Sequence, residues 1–444
     1  MREVINIHIG QAGVQLGQQC WELFCIEHGI SLDGSINPQK QELKDDTFEH
    51  FFTNHNDMRF VPRSIFVDTD PEPIDEIRTG KQRRLFHPEQ LISEKEGTSS
   101  IFAAGYYSQG EKIINRVLDR VRKLADECTG LQGFILYHSL GGGTGSGLGS
   151  LITERLSAEY GKKSKVNFAI HPSVFVTNSI LDSYNAVLAQ HAMIEHIDCS
   201  FTYDNEALYD LCYRNLGLEQ CSFGHMNEII SQTVSSATAS LRFDGTLNVD
   251  LTEFQTNLVP YPRAHFCTVA YAPILQRDDQ CEVSTVELSM AAFQSRNALT
   301  KCDLQLGKYM SCCLMYRGDV ARKEVGAAIC QIKTKRTINF VDWCPTGFKC
   351  GINYQPPSSL PNDELKKTQR TCLMIANTTA ISQVFQRTNR NFDLMLSRHA
   401  FVHWFVQNGM EETQLVEARE DMAVVEKDYE EIVKENDELE DDEF

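Results

Sequence analysis

Five glycines fall within seven consecutive positions of the stretch Ser139–Gly147, and this run constrains the fold more than any other part of the chain. Glycine loses more conformational freedom than any other residue when it is ordered, so the run needs a reason, such as close approach of the backbone to another group. Residues 131–137 predict a buried strand before the run, and residues 148–160 predict an amphipathic helix after it. A strand, a glycine turn and a helix start present backbone N–H groups and the positive end of a dipole, which together bind phosphate.

The glycine run does not match other phosphate-binding motifs. It lacks the Gly-Lys-Ser/Thr of a Walker A loop and the Gly-x-Gly-x-x-Gly spacing of a dinucleotide-binding fold. A flexible surface linker is the alternative, but linkers are rarely framed by an apolar strand and an amphipathic helix. The run therefore favours a phosphate site, to which the hydroxyls of Thr144 and Ser146 can add donors.

Length and composition limit the classes of protein to consider. A chain of 444 residues predicts two or three domains, and 42% hydrophobic residues can support large cores. The net charge of −19 argues against a nucleic-acid partner, and no apolar run approaches the length of a membrane span. The N-terminal residues lack a signal-peptide pattern. The fifteen cysteines have no zinc-type pairing, so we expect mostly buried free thiols in a reducing compartment.

Two more predicted strand ends carry polar groups that suit a nucleotide. An apolar strand near the N-terminus is followed by Gly10–Gly13 and a helical pattern, so the Gln11 amide lies at a helix start; a simple tight turn is the alternative. Residues 63–68 predict a strand that ends in Asp68 and Asp70. Two carboxylates at this spacing suit a magnesium–phosphate site, and a turn capped by aspartates is the alternative.

The order of predicted elements indicates an α/β fold. Strands and helices alternate up to about residue 205, which predicts a doubly wound parallel sheet with its ligand at the carboxyl ends of the strands. A second α/β domain with a mixed sheet follows, and a C-terminal helical hairpin begins near residue 379. Seven of the last ten residues are acidic, so we expect a disordered tail. The strands predicted for the second domain span residues 266–271, 308–317, 339–343 and 351–354. In the first domain, residues 4–9 predict a strand, residues 28–56 a long polar loop and residues 109–127 an amphipathic helix. The two C-terminal helices are predicted at residues 394–405 and 414–435.

The heptapeptide Gly141–Gly147 resembles the signature of the tubulin family, and the similarity runs from Met1 to Phe444. The alpha branch is indicated by Trp21–Gly29 and by Ser358–Leu365, which fills a loop that beta chains shorten. The resemblance implies a GTP-binding subunit of microtubules that pairs with beta-tubulin in head-to-tail protofilaments and works in the cytoplasm, cilia and flagella included. It implies a GTP-binding domain (1–204), an intermediate domain (205–378), C-terminal helices (379–434) and an acidic tail (435–444).

The resemblance also implies which residues hold GTP and Mg²⁺. Asn205 can pair with guanine through an amide donor and acceptor, and Phe223 stacks on the base. Asp182 accepts from a ribose hydroxyl, and Asp70 contacts magnesium. The full nucleotide set is Gln11, Asp68, Asp70, Ser139, Gly142, Gly143, Thr144, Gly145, Thr177, Asn178, Asp182, Asn205, Phe223 and Asn227.

A separate acidic pair, Asp250 and Glu253, lies three residues apart at a predicted helix start. An ordinary capped helix start, with acids favoured by the dipole, is the alternative. The tubulin resemblance implies instead that Glu253 projects into the next heterodimer and completes the GTP site of a beta subunit. The chain is then part of a composite GTPase in which hydrolysis waits for assembly.

Several positions depart from the usual alpha-tubulin pattern. Asp70 and Asp182 replace glutamate, Asn178 replaces threonine, and Phe223 replaces tyrosine. Three loops also depart from the pattern: the nucleotide loop at Gly97–Ser100, the lateral-contact loop at Gln276–Cys281, and the loop with Lys40, which matches an acetylatable lysine of alpha-tubulins. The terminal Phe444 replaces tyrosine.

Three functions follow from these features. The first is a filament-forming alpha-tubulin whose acidic tail also receives basic motors and microtubule-associated proteins. The second is a divergent alpha-like chain that caps or specialises microtubules, which the altered loops motivate. The third is a soluble nucleotide-dependent metabolic enzyme, which gives no role to the tail or to Glu253.

Overall fold

The computed structural model describes residues 2–36, 46–55, 59–173, 175–176, 179–277, 283–335, 338–343, 348–361 and 364–442. The chain forms two compact units, one of residues Met1–Ile197 and Phe392–Ala418, the other of residues Asp198–Asn391 and Arg419–Phe444. The four-part division expected from the sequence stays a prediction.

The first unit holds a parallel sheet with the strand order β7-β6-β1-β4-β5. The chain leaves the central strand in one direction and later returns to its other side, which puts a topological switch point beside β1. Helix α1 packs on β1, β4 and β6, and α3 packs on β1, β4 and β5. The elements are β1 (Glu3–Ile9), α1 (Gly10–His28), β2 (Phe52–His55), β3 (Arg59–Pro62), β4 (Ser64–Asp68), α2 (Pro71–Thr79), β5 (Leu91–Ser93), α3 (Gln109–Asp126), β6 (Leu131–Ser139), α4 (Gly149–Glu159), β7 (Ser164–His171) and α5 (Asp182–His196).

The second unit holds a mixed sheet with the order β11-β10-β12-β9-β8. Strand β12 is antiparallel to both β9 and β10, whereas β8–β9 and β10–β11 are parallel pairs. The elements that follow α5 are β8 (Cys199–Asp204), α6 (Asn205–Asn215), α7 (Phe223–Arg242), α8 (Leu251–Leu258), β9 (Phe266–Ala272), α9 (Thr285–Ala292), β10 (Tyr309–Gly318), α10 (Arg322–Lys335), β11 (Phe348–Asn353), β12 (Arg370–Thr378), α11 (Ser382–Leu396), α12 (Val402–Gln407) and α13 (Glu412–Asp442).

Four sequence-based expectations about elements differ from the structure. Residues 339–343 form a single parallel bridge between Phe340 and Tyr309 rather than a strand. The helix expected across residues 394–405 ends at Leu396, because His399 and Phe401 adopt left-handed backbone angles (φ 48° and 63°) that a helix cannot contain. Part of the expected loop at 28–56 pairs β2 with β3. The expected disordered tail is helical through residue 442, because helix propagation from a packed segment adds one hydrogen bond per residue.

A neutral histidine lies in the core of the first unit. His8 on β1 stacks between Phe66 and Tyr137 with ring centroids 4.6 and 4.5 Å away. Its Nε2 atom accepts a hydrogen bond of 3.0 Å from the Trp21 indole N–H. Burial lowers the pKa of His8 to about 3. The imidazole therefore stays neutral in the folded chain at every physiological pH.

This histidine makes stability depend on pH. Its unfolded pKa of about 6.5 exceeds the folded value, so the unfolded state binds more protons and stability falls as pH drops below 6.5. Between pH 7 and 5.5 we expect His8 to remove about 1 kcal/mol from the free energy of unfolding. Urea denaturation of His8→Gln, which keeps an acceptor for Trp21 and does not titrate, should show that much less pH dependence. Equal pH slopes for both proteins would contradict the prediction.

Candidate functional site

The two glycine turns of the first unit meet each other. Gly10, between β1 and α1, has a φ of 72°, and a Cβ atom there would lie 3.1 Å from the amide nitrogen of Gly145. A Cβ atom on Gly13 would lie 2.3 Å from the carbonyl oxygen of Tyr137 on β6. The start of α1 therefore packs directly on the loop that follows β6, and Gln11 is exposed beside this junction.

Close packing inside the protein explains most of the glycine run. A Cβ atom on Gly143 would lie 2.5 Å from the amide nitrogen of Ile101, and one on Gly145 would lie 2.4 Å from the carbonyl oxygen of Ser139. Gly142 differs, because no described atom lies within 4 Å of its Cβ position, and the residue is exposed. A ligand can therefore approach the backbone closely at Gly142, as the sequence predicts. At Gly143 and Gly145, glycine is required because neighbouring protein atoms leave no room for a Cβ atom.

The helix start after the run has the donor geometry that the sequence predicts. A π-helical turn, Thr144–Leu148, leads into α4, and the Ser139 hydroxyl at the end of β6 accepts a 3.4 Å hydrogen bond from Gly141 N–H. The first N–H groups of a helix have no intrahelical acceptor, and the dipole adds positive charge there. This turn can therefore bind an anion beside Gly142 and Gly143.

Three threonine hydroxyls and a buried carboxylate gather beside this turn. The Thr144 hydroxyl lies 2.7 Å from that of Thr69 and 3.3 Å from that of Thr98. Asp68, 2% exposed at the end of β4, accepts a hydrogen bond of 3.2 Å from Asp70 N–H, and its Oδ2 atom has no partner among the described residues. Burial raises the pKa of Asp68 to about 6. A cation or donor brought by a ligand would stabilise this carboxylate as the anion.

Asp70 caps a helix, which was the alternative interpretation of the aspartate pair. Its Oδ1 atom accepts from Glu72 N–H at 3.2 Å at the start of α2. The Oδ2 atom lies 3.9 Å from the Cβ position of Gly97, so the carboxylate borders the altered loop at 97–100. The side chain is exposed, and capping leaves the second oxygen available to water or a cation.

Sequence reasoning missed Asn185 as a site residue. This buried side chain on α5 donates to the carbonyl oxygens of Ser100 and Gly141, both at 2.7 Å, and accepts from Phe102 N–H at 3.0 Å. It therefore ties the glycine run to the altered loop with three hydrogen bonds. A lone asparagine within a helical pattern gives no signal of this role, so the sequence alone could not reveal it.

Replacing Asn185 with alanine should loosen both loops. The change removes the side-chain partner of three backbone groups, at about 1–3 kcal/mol for each group that water cannot reach. We expect faster hydrogen–deuterium exchange at residues 98–102 and 140–145 and a lower melting temperature. Gln109→Ala is the matched control, because it removes an exposed side-chain bond to Glu96. Unchanged exchange in Asn185→Ala would contradict the assignment.

Of the remaining predicted residues in this part of the chain, one lies beside the glycine run and two lie outside the described residues. Asp182 begins α5 and lies beside the glycine run, since its Cγ atom is 3.0 Å from the Cβ position of Gly141. Thr177 and Asn178 lie outside the described residues, as does Lys40. The structure therefore brings the predicted phosphate residues of the first unit together, apart from these two.

Three further predicted nucleotide residues lie in the second unit. Asn205 begins α6, directly after Asp204, whose side chain accepts from Glu206 N–H at 2.9 Å and so caps the helix. Phe223 begins α7 and is 45% exposed, whereas Asn227 is buried one turn later. Their contact with a nucleotide stays a prediction.

Glu253 lies on the first turn of α8, with Asp250 as the residue that precedes the helix. The Glu253 carboxylate is 38% exposed and forms a 2.8 Å ion pair with Lys349 on β11. The sequence did not predict this partner, because 96 positions separate the two residues in the chain. A half-exposed carboxylate held by one flexible amine can turn toward a neighbouring molecule.

Comparison with known proteins decides the family. Residues 3–213 match the family model for the Tubulin/FtsZ family, GTPase domain, and residues 262–390 match that for the Tubulin C-terminal domain. The chain belongs to the tubulin family. It is similar to the Tubulin alpha-2B chain of Physarum polycephalum, with 56% identity over 435 residues that cover 97% of each chain. These matches confirm the alpha-tubulin resemblance, the α/β fold class and the GTPase character expected from the sequence.

The described residues contain neither a membrane-spanning helix nor a preformed metal site. No helix among them is both long and apolar enough to cross a membrane. No group of three or more histidine, cysteine, aspartate or glutamate side chains in the described part of the chain could hold a metal by itself. Magnesium bound with a nucleotide uses one or two carboxylates plus phosphate oxygens and waters, so Asp68 and Asp70 with the threonine hydroxyls fit that need.

Proposed function

We propose that this chain binds GTP at the glycine turns of its first unit and supplies Glu253 to the GTP of the next beta subunit. As an alpha-type member of the tubulin family, the chain is a subunit of the tubulin heterodimer with beta-tubulin, a structural constituent of microtubules and part of the cytoskeleton. The observation that carries the proposal is the junction of the two glycine turns around the exposed Gly142.

The phosphates would lie against the π-helical turn. Gly142, Gly143 and Thr144 supply backbone N–H groups there, with Gln11 and Ser139 at the edges. Because the helix start carries partial positive charge, it favours a polyanion over a neutral ligand. We call the backbone of Gly142, Gly143 and Thr144 the phosphate cradle. It would bind the terminal phosphates without a lysine, in contrast to a Walker A loop.

Magnesium would be held near the two aspartates. Asp70 offers its second oxygen directly or through water, and Asp68 has a buried oxygen without a partner in the described residues. The ion, when bound, neutralises phosphate charge. Asp70 is one methylene shorter than the usual glutamate, which favours a water-mediated contact.

The remaining nucleotide contacts rest on chemistry and resemblance. Asn205 offers both a donor and an acceptor to guanine, and the exposed ring of Phe223 suits stacking. Asn227, Asp182, Thr177 and Asn178 complete the proposed contacts to the base, ribose and phosphates. We propose guanine because the tubulin resemblance implies it, and the Asn205 amide can accept from the guanine N2 amino group or donate to its O6 oxygen.

Glu253 would act in trans. Phosphoryl transfer needs a placed water and electrostatic support rather than covalent chemistry from the protein. The half-exposed Glu253 carboxylate would orient that water, with Asp250 assisting. Since the base arrives only with the next subunit, hydrolysis would follow assembly.

The acidic tail supports a second, peripheral role. Its seven acids in ten residues would attract basic motors and microtubule-associated proteins through long-range charge, with contacts that weaken as salt rises. A place in a cilium or flagellum stays a prediction. A chain that caps filament ends is the alternative, and the loop at 97–100 motivates it.

Co-assembly with beta-tubulin tests the proposal. The purified pair with GTP should sediment as polymer, retain GTP and release phosphate as polymer forms. Fluorescently tagged chains should lie along the whole filament. Labelling confined to filament ends would support the capping alternative, and a monomer that turns over a small metabolite would overturn the proposal.

A further inference from the structure

A basic cleft lies in the second unit and plays no part in the proposed GTP chemistry. It encloses about 890 Å³ between α6, the turn at residues 295–297 and α11. Five lysine and arginine side chains line it, against two aspartates, although the whole chain has 42 basic and 61 acidic residues. A concentration of positive charge on an acidic protein indicates an anionic ligand.

Three of the five cations are available to a ligand. Lys301 is already paired with Asp210 at 2.5 Å, and Arg387 with Asp204 at 3.2 Å. Arg214, Arg296 and Arg390 form no ion pair among the described residues, and all three are exposed.

These three arginines come from three different elements around one opening. Arg214 lies on α6, Arg296 on the turn at 295–297 and Arg390 on α11. Each guanidinium presents a planar fork that fits a carboxylate or phosphate through two hydrogen bonds. The cleft can therefore bind several acidic groups at once.

An apolar hollow of about 580 Å³ adjoins the cleft and shares Ser295, Arg296 and Gln305 with it. Its other walls are mainly apolar, formed by Met290, Phe293, Leu304, Tyr309 and Ile338. A ligand that fits both spaces is acidic along its length and carries an aromatic or aliphatic group at one end.

We propose that the cleft binds the acidic C-terminal segment, residues 435–444, of a second copy of this chain. The segment has seven acids and ends in Phe444, so its carboxylates match the arginines and its terminal ring matches the hollow. Helix α13 continues to Asp442, so another copy would present most of this segment as the end of that helix. The contact would link subunits by charge and one aromatic anchor.

Binding of a synthetic peptide of residues 435–444 to the full chain, assembled with beta-tubulin, tests this assignment. Fluorescence anisotropy should show saturable binding that weakens as salt rises from 50 to 300 mM. We expect about tenfold weaker binding to Arg296→Gln/Arg390→Gln, because two exposed charge pairs are lost. The control Lys323→Gln/Lys367→Gln removes the same charge from exposed positions outside the cleft and should bind normally.

Changes in the peptide avoid any effect on folding. Phe444→Ala in the peptide should weaken binding about tenfold, because a buried aromatic ring contributes roughly that much. Equal binding of the arginine variant and the control variant would overturn the cleft as the site. Tighter peptide binding after deletion of residues 435–444 from the chain would show that its own segment occupies the cleft, and would overturn the assignment to a second copy.

Discussion

Glu253→Ala should slow phosphate release from mixed polymer by about 10²–10⁴-fold, the range that general-base assistance contributes. The amount of polymer should change little, because the side chain is 38% exposed and its ion pair with Lys349 lies at the surface. Such pairs stabilise a fold by at most about 1 kcal/mol. Phosphate release measured against turbidity in one sample separates hydrolysis from assembly.

Two companion variants sharpen this test. Glu253→Gln keeps the side-chain size and hydrogen bonding but lacks the basic carboxylate. Its phosphate release should therefore be slowed nearly as much as that of Glu253→Ala. Lys349→Gln removes the partner and leaves the carboxylate, so phosphate release should change less than tenfold. Normal phosphate release in Glu253→Ala polymer would refute the trans role, and a defect shared equally by Lys349→Gln would point to a structural role for the ion pair.

The elements around the glycine turns could be predicted because local pattern decides them. Strands β1 and β6 are apolar runs that end in turn residues, and α3 shows clear helical spacing, so each was recognised within two residues of its observed bounds. Strand β12 was missed, since a short apolar run fits a buried strand and a buried helix equally well. Only its antiparallel pairing with β9 and β10, distant in sequence, decides its form.

Some residues of the candidate site could likewise be predicted from the sequence, and others could not. The glycine run and the aspartates at the end of β4 carry their chemistry in their spacing, so the sequence could identify them. Asn185 and Lys349 contribute through partners tens of residues away, which no local pattern records. The glycine run was interpreted as clearance for a ligand, but Gly143 and Gly145 are held by protein atoms at 2.5 and 2.4 Å from their Cβ positions.

Gly142→Ala and Gly143→Ala should therefore fail in different ways. A methyl group on Gly142 enters space that no described atom occupies, so the fold should be unaffected. That space faces the proposed phosphate cradle, so nucleotide retention should fall about 10–100-fold, which corresponds to one or two lost hydrogen bonds to a charged group. Nucleotide retained after gel filtration, quantified by absorbance of the extracted base, measures the effect.

Gly143→Ala tests packing with the same added methyl group. Its Cβ atom would lie 2.5 Å from Ile101 N and 2.6 Å from Thr98 Oγ1, which requires backbone movement. Overpacking of this kind costs about 1–3 kcal/mol, so the melting temperature should fall by several degrees whether or not nucleotide is present. Full nucleotide retention by Gly142→Ala would contradict phosphate binding at the backbone of Gly142. An unchanged melting temperature in Gly143→Ala would contradict the packing of the glycine run against Thr98 and Ile101.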